Sequence, residues 1–187
     1  MRILIFGATG VLGRATIPHL TGHAVGGTTR SRDRLPLLAE LGATGMVCDA
    51  YDREAVTACA RDFRPEVVVS FLTDLSGGPG PATSRLRREA CPNVTAGARA
   101  AGARRLVVES IAFPSSPESA AAVELMERDA LGSGLQVLVI RFGLFWGPGT
   151  WHAAPAAGTV IEIGAAGRRA AALIAGDATG VQVLADG

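Results

Sequence analysis

Lysine is absent from this chain of 187 residues, in which all 18 basic residues are arginine, and tyrosine occurs only once, as Tyr51. A mechanism that requires a lysine ammonium group is therefore excluded. Cysteine is scarce as well, with three residues at unrelated spacings: Cys48, Cys59 and Cys91. This pattern favours small buried side chains in a reducing compartment over a metal site or a redox pair, so we expect no bound metal.

Strong charge and long apolar runs are also missing. The formal net charge is +1, which gives no reason to expect nucleic acid or an anionic membrane as a partner. No apolar run approaches the length of about 20 residues that a transmembrane helix needs. Gly7 and Gly10 interrupt the first apolar run too early for a signal peptide. With 48% hydrophobic residues, the chain is long enough to bury one core and is predicted to form a single domain over residues 1–187. The predicted location is the cytoplasm, a reducing compartment.

Short β-branched runs alternate with Ala- and Leu-rich segments of helical period, which is the pattern of βαβ units. The predicted strands are 2–7, 24–29, 45–48, 66–72, 105–109, 136–141 and 181–184, with a weaker candidate at 159–163. The predicted helices are 11–21, 33–41, 52–62, 83–101, 119–132 and 165–175, and Pro92 should kink or split the fourth of them. Residues 76–81 and 147–158 have loop composition. The fold class predicted is α/β, a Rossmann-like doubly wound parallel sheet flanked by helices.

The sequence GATGVLG, at residues 7–13, links the first strand to the first helix. Gly7 permits a tight turn, Gly10 lets the backbone approach a pyrophosphate, and Gly13 lets the helix pack closely on the sheet. Phosphates would lie at the helix N-terminus, where free N–H groups and the helix dipole favour an anion. A purely structural turn is the alternative. The context predicts dinucleotide binding by Gly7, Thr9, Gly10, Val11, Leu12 and Gly13.

The end of the second strand indicates which dinucleotide is bound. An NAD site offers an acidic residue there to bind the ribose 2′-hydroxyl, whereas residues 28–32 of this chain read TTRSR. A guanidinium pairs with a 2′-phosphate, and a carboxylate would repel it. We therefore predict NADP rather than NAD as the cofactor, bound by Arg30 with support from Ser31, Arg32 and Arg34. A solvated helix face is the alternative for Arg32 and Arg34, and it explains Arg34 at least as well.

These motifs and three longer segments resemble the extended and atypical branch of the short-chain dehydrogenase/reductase superfamily, the NAD(P)-dependent epimerase/dehydratase-like proteins. The segments are RPEVVVSFLTDL at 64–75, RLRREACPNVTAGARAAGARRLVVES at 85–110 and VIRFGLFWGPGT at 139–150. Asp49 and Ala50, which end the third strand, are part of the resemblance, and Asp49 is placed to reach the adenine edge. The resemblance implies that Leu72 and Thr73 border the adenosine and ribose side of the cofactor. It implies that Ser110, Phe142 and Gly143 border the nicotinamide side.

Members of that family use a Tyr and a Lys four residues apart on the helix that follows the fifth strand, so that both lie on one helix face. Alignment of Glu127 with the family's Glu places Ser119 at the Tyr position and Val123 at the Lys position. The family's catalytic Ser or Thr falls on Ser110 or Ile111. The resemblance therefore implies that the usual hydride-transfer triad is missing. Only a short segment lies between residues 150 and 159, where members of the family have a substrate-binding segment inserted. A truncated substrate lobe is therefore expected.

Substitute catalytic groups are expected where parallel strands end, because open α/β sheets bind their ligands there. Glu109 and Ser110 end the fifth strand, and Asp74 follows the fourth. His152 follows the Gly-Pro-Gly turn and is the best single candidate for a general acid or base, because histidine is the residue type most often used for proton transfer in enzymes. An exposed loop histidine without a catalytic role is the alternative interpretation.

Three residues outside this set are interpreted as structural. Glu124 and Glu127 are expected to be helix-surface carboxylates, and Arg141 is expected to brace the last strands. The sequence thus predicts an NADP-binding protein that acts on a small-molecule substrate, as an unconventional reductase or as a non-redox isomerase, dehydratase or cyclase. Loss of the usual acid weakens reduction without forbidding it, because positioning supplies much of the rate. The alternatives are a non-catalytic NADP-binding sensor or regulatory protein, and a scaffold that has lost the cofactor. A homodimer is a further expectation, since helices flanking the fourth and fifth strands pair subunits in many family members.

Overall fold

Strands and helices alternate along the whole chain, and the structure, a computed structural model, describes residues 1–74 and 80–186. The strands are β1 (Arg2–Phe6), β2 (Ala24–Thr29), β3 (Thr44–Val47), β4 (Val67–Ser70), β5 (Arg105–Ile111), β6 (Gln136–Phe142), β7 (Leu144–Trp146), β8 (Val160–Glu162) and β9 (Gly180–Leu184). The α-helices are α1 (Val11–Thr16), α2 (Leu35–Glu40), α3 (Arg53–Phe63), α4 (Pro81–Ala100), α5 (Pro117–Leu131) and α6 (Ile163–Ala175). The predicted alternation of strands and helices is confirmed.

Seven strands form one parallel sheet in the order β3-β2-β1-β4-β5-β6-β9. The strand order reverses beside β1, which pairs with β2 on one side and with β4 on the other. Ligands of doubly wound sheets bind outside the carboxyl ends of the strands at such a reversal. The predicted Rossmann-like fold is therefore confirmed, and the topology already indicates where the site lies.

Two hydrophobic clusters cover the two faces of the sheet. Ile3 and Ile5 of β1 belong to one cluster, and Leu4 and Phe6 belong to the other, because alternate side chains of a strand point to opposite faces. The central strand β4 is buried along its full length. This explains why three consecutive valines, Val67 to Val69, form this strand before Ser70, as predicted for a central parallel strand.

The structure differs from the predicted elements at several places. The first helix ends at Thr16 and continues only as a short 3₁₀ turn, and α4 runs through Pro92 as one helix, so the expected split does not occur. The strand β7 was not predicted. It pairs with β8 in a separate two-stranded sheet, and a Cβ atom on Gly143 just before it would lie 2.7 Å from the backbone of Val160. The predicted loop at 76–81 lies largely outside the described residues.

The three cysteines are buried and free, as predicted for small core side chains. Within residues 1–74 and 80–186, no cluster of His, Cys, Asp and Glu side chains is arranged to hold a metal ion. No helix in this part of the chain combines the length and the apolar character that crossing a membrane requires.

Candidate active site

A cavity of about 680 Å³ opens at the carboxyl edge of the sheet. Its wall is built from the glycine loop, the segments that follow β2 and β4, the start of α4, the end of β5 and residues 142–152. The predicted site residues that line it are Gly10, Val11, Leu12, Arg30, Thr73, Asp74, Glu109, Ser110, Phe142, Gly143 and His152. The other predicted site residues, Gly7, Thr9, Gly13, Ser31, Arg32, Asp49, Ala50 and Leu72, are not part of this wall.

The glycine loop has the geometry that a pyrophosphate needs. Gly7 has a φ of +83°, and a Cβ atom there would lie 2.2 Å from the carbonyl oxygen of Phe71. A Cβ atom on Gly13 would lie 2.5 Å from the carbonyl oxygen of Ala8. Gly10 caps α1 without any side-chain hydrogen bond and lines the cavity, so no side chain blocks the amides of the first helical turn. These residues fit the phosphates of a dinucleotide.

Two arginines that follow the second strand place positive charge at the same cavity. Arg30 and Arg34 are exposed and line the cavity beside the glycine loop, whereas Arg32 is exposed outside it. Asp49 is exposed, and its carboxylate accepts a hydrogen bond of 3.1 Å from the backbone N–H of Tyr51. In this structure Asp49 stabilises the turn before α3.

Glu109 lies at the carboxyl end of β5 and faces the cavity. Burial raises the pKa of its carboxyl group to about 7, although the Arg87 guanidinium and the Thr73 hydroxyl act in the opposite direction. A group with such a pKa is partly protonated at neutral pH and can therefore donate or accept a proton.

Arg87 is a cavity residue that the sequence analysis did not select. It lies on α4, only 5% of its surface is exposed, and its Nη1 donates a 3.2 Å hydrogen bond to Ser119 Oγ. The helical period of α4 could have revealed it, because Arg87 falls on the same buried stripe as Thr83, Ala90 and Val94. An arginine on the buried face of a helix is uncommon without a partner or a ligand.

Ser110, Glu127 and Arg141 form a hydrogen-bonded group behind the cavity wall. Ser110 is fully buried, and its hydroxyl donates a 2.5 Å hydrogen bond to Glu127 Oε1. Arg141 donates to both carboxylate oxygens, from Nε at 3.0 Å and from Nη2 at 2.6 Å. The hydroxyl hydrogen of Ser110 is therefore engaged in the hydrogen bond to Glu127 and does not point to a ligand in the cavity.

The expectation that Glu127 is a surface carboxylate is wrong. The side chain is buried because α5 places it against Ser110 of β5 and Arg141 of β6, whose donors satisfy both of its oxygens. Burial acts to raise the pKa of Glu127, but the hydrogen bonds from Arg141 and Ser110 outweigh burial and hold the pKa below its usual value. Glu124, in contrast, is exposed as expected. Arg141 thus braces α5 against the sheet.

Ser119 and Val123, which the sequence resemblance aligns with the Tyr and Lys of short-chain dehydrogenases/reductases, line two different cavities. Ser119 lines the large cavity, whereas Val123 lines a neighbouring cavity of about 330 Å³ with Glu127 and Arg141. His152 is partly buried in the wall of the large cavity. Its carbonyl oxygen accepts hydrogen bonds from the backbone of Gly147 and the hydroxyl of Thr150, both at 2.8 Å. The backbone of His152 therefore helps to shape the rim.

Comparison with solved structures supports the fold. An enzyme of Bordetella bronchiseptica, WbmH in complex with NAD+, superposes with a TM-score of 0.78 at 17% identity, over 100% of this chain and 75% of the other. The UDP-glucose 4-epimerase of Thermus thermophilus, in complex with NAD, gives a TM-score of 0.78 at 17% identity, over 99% and 78% of the two chains.

Sequence comparison extends the relationship beyond the fold. A reductase from a Streptomyces species, 3-diazoavenalumate denitrifying reductase, is 38% identical in an alignment 183 positions long that covers 82% of this chain and 59% of the relative. The chain thus spans about three-fifths of the length of this curated relative. The family described as NAD(P)H-binding matches residues 7–140. The chain therefore belongs to the NAD(P)H-binding family.

Proposed function

We propose that this protein is an NADPH-dependent reductase of a small molecule and that Glu109 supplies the proton. The amides at Gly10 to Leu12 would hold the pyrophosphate, and Arg30 would pair with the 2′-phosphate of NADPH. A bound nicotinamide cofactor would supply the hydride. The Streptomyces relative, which is named a reductase, supports reduction over a purely regulatory role.

Glu109 is the observation that carries this proposal. Reduction of a carbonyl group leaves negative charge on oxygen, and a proton donor nearby typically contributes about a hundred- to ten-thousandfold in rate. Ser119 and Val123 cannot replace the family's Tyr and Lys, and the Ser110 hydroxyl is bonded to Glu127. Glu109 faces the cavity with a pKa of about 7, so it carries a proton in a useful fraction of molecules at neutral pH.

A second reductive reaction fits the same site. The name of the Streptomyces relative describes reduction of a diazo compound with loss of nitrogen. In such a reaction the carbon–nitrogen bond of a diazonium ion breaks, the carbon gains a hydride, and N₂ leaves as a neutral molecule. No oxygen atom needs a proton in this reaction. The absence of a Tyr and Lys pair at Ser119 and Val123 would therefore not lower its rate.

The pH dependence of reduction tests the proton donor. We would measure transfer of deuterium from 4-deuterated NADPH to aromatic aldehydes, ketones and diazonium carboxylates. With a carbonyl substrate, kcat should fall above about pH 7 as Glu109 loses its proton. Glu109→Gln should remove this inflection and lower kcat about a hundred- to ten-thousandfold, with unchanged NADPH affinity. With a diazonium substrate, kcat should not depend on Glu109.

His152→Ala is the matched comparison, because His152 lines the same cavity. Carbonyl reduction that survives Glu109→Gln but disappears in His152→Ala would assign the proton to His152 instead. Tight NADPH binding without deuterium transfer to any substrate class would refute the reductase and favour the regulatory alternative.

A further inference from the structure

We infer that Arg87 binds the carboxylate of an aromatic substrate in the part of the cavity next to Glu109. This inference rests on the proposed function in one respect, because it takes the cavity to be the substrate site. It names the chemical class of the substrate, an aromatic or conjugated carboxylic acid.

The first argument is that the charge of Arg87 is only partly compensated. Within residues 1–74 and 80–186, Arg87 makes no ion pair shorter than 4 Å, and its one side-chain hydrogen bond goes to the neutral hydroxyl of Ser119. A guanidinium has five N–H donors, and a buried cation without a counter-ion is costly. Glu109 compensates only in part, because its pKa of about 7 leaves it partly neutral. A carboxylate that enters the cavity would satisfy this charge.

The second argument is the composition of the cavity wall. Five of the nine aromatic residues of the chain line this cavity: Phe71, Phe113, Phe142, Phe145 and Trp151. The rings of Phe142 and Phe145 are 5.3 Å apart and inclined by 57°, and 64% of the surface of Trp151 is exposed at the rim. Such rings favour a flat apolar ligand through stacked and edge-to-face contacts.

The third argument is that the cofactor's phosphates have other partners. The glycine loop offers the amides of the first turn of α1, and Arg30 and Arg34 line the cavity beside it. Arg87 instead contacts Ser119 of α5, at 3.2 Å, in another part of the wall of the cavity. Its charge is therefore available to the substrate.

A binding experiment without turnover tests this inference. We would titrate the NADP-saturated protein with benzoate, phenylacetate and cinnamate, each compared with its methyl ester, by calorimetry. The wild type should bind at least one acid about ten- to a hundredfold more tightly than its ester, as expected for charged hydrogen bonds. Arg87→Gln, which can still bond to Ser119, should reduce this ratio to about one.

Arg88→Gln is the matched control, because Arg88 is the next residue of α4 but pairs with Glu118 at the surface, at 3.4 Å. It should leave the ratio unchanged. If Arg87→Gln does not fold, Ser119→Ala provides a second measure and should lower the ratio about two- to tenfold, because it removes the bond that orients the guanidinium.

Two results would overturn the inference. One is that no acid binds the wild type better than its ester. The other is that Arg87→Gln weakens NADP binding while the acid-to-ester ratio stays the same, which would assign Arg87 to the cofactor. Failure of the proposed reductase is distinguishable, since an inactive protein could still prefer acids to esters.

Discussion

Replacement of Glu127 by Gln should destabilise the protein, although the side chain keeps its shape. The carboxylate accepts two hydrogen bonds from Arg141 and one from Ser110 in a buried setting. Gln retains one acceptor oxygen, but its amide NH₂ would face a donor of Arg141. The change therefore removes the negative charge and at least one charged hydrogen bond.

The size of the destabilisation depends on how much of the Glu127–Arg141 ion pair is buried. Loss of one partner of a fully buried ion pair costs about 3 to 5 kcal/mol, but 43% of the Arg141 side chain is exposed, so this guanidinium can be solvated. The value for a charged hydrogen bond, about 1.5 to 3 kcal/mol, is therefore appropriate. For a chain of this length, it corresponds to a decrease in Tm of about 3 to 12 °C.

Urea denaturation at several pH values is the assay. Arg141 and Ser110 hold the pKa of Glu127 below its usual value, so its contribution is complete above the unfolded-state pKa of about 4.3. The contribution is lost as the pH falls through the folded-state pKa. The difference in free energy of unfolding between the wild type and Glu127→Gln should therefore become smaller in that pH range.

Glu124→Gln is the control, because Glu124 forms only an exposed pair with Arg128 at 3.7 Å. It should change the free energy of unfolding by less than about 0.5 kcal/mol. A Glu127→Gln protein that is as stable as the wild type at pH 7 would refute the stabilising role of the Glu127 carboxylate. A difference in free energy of unfolding that does not change with pH would refute it as well.

Two further changes test the scaffold and the cofactor. Arg105 is fully buried and donates to backbone carbonyls at residues 173–178, so Arg105→Met should cost at least about 1 to 3 kcal/mol, the cost of a buried carbonyl left without its donor, visible as a lower urea midpoint. An unchanged midpoint would contradict this role. Arg30→Ala should weaken NADP binding about ten- to a hundredfold in calorimetry and leave NAD binding nearly unchanged. Equal losses for both cofactors would show that Arg30 does not contact the 2′-phosphate.

The sequence determined the fold and the cofactor loop because both depend on local patterns. Apolar runs with helical segments between them require a parallel sheet, and the glycines of 7–13 are needed within a few residues of one another. The position of Glu109 and Ser110 at the end of β5 follows from the same pattern. The absence of the usual catalytic pair was also evident without coordinates, since the chain contains no lysine.

The tertiary structure decided which polar side chains face each other across elements distant in sequence. Glu127 is a charged residue, for which a surface position is the usual expectation, and it is buried because α5 packs against Ser110 and Arg141 on two different strands. Arg87 becomes a site residue because α4 and α5 bring it to Ser119, 32 positions away. Burial, which raises the pKa of Glu109, likewise depends on neighbours that no local pattern specifies. Local periodicity places a residue on a face, but only the packing of the elements determines what that face meets.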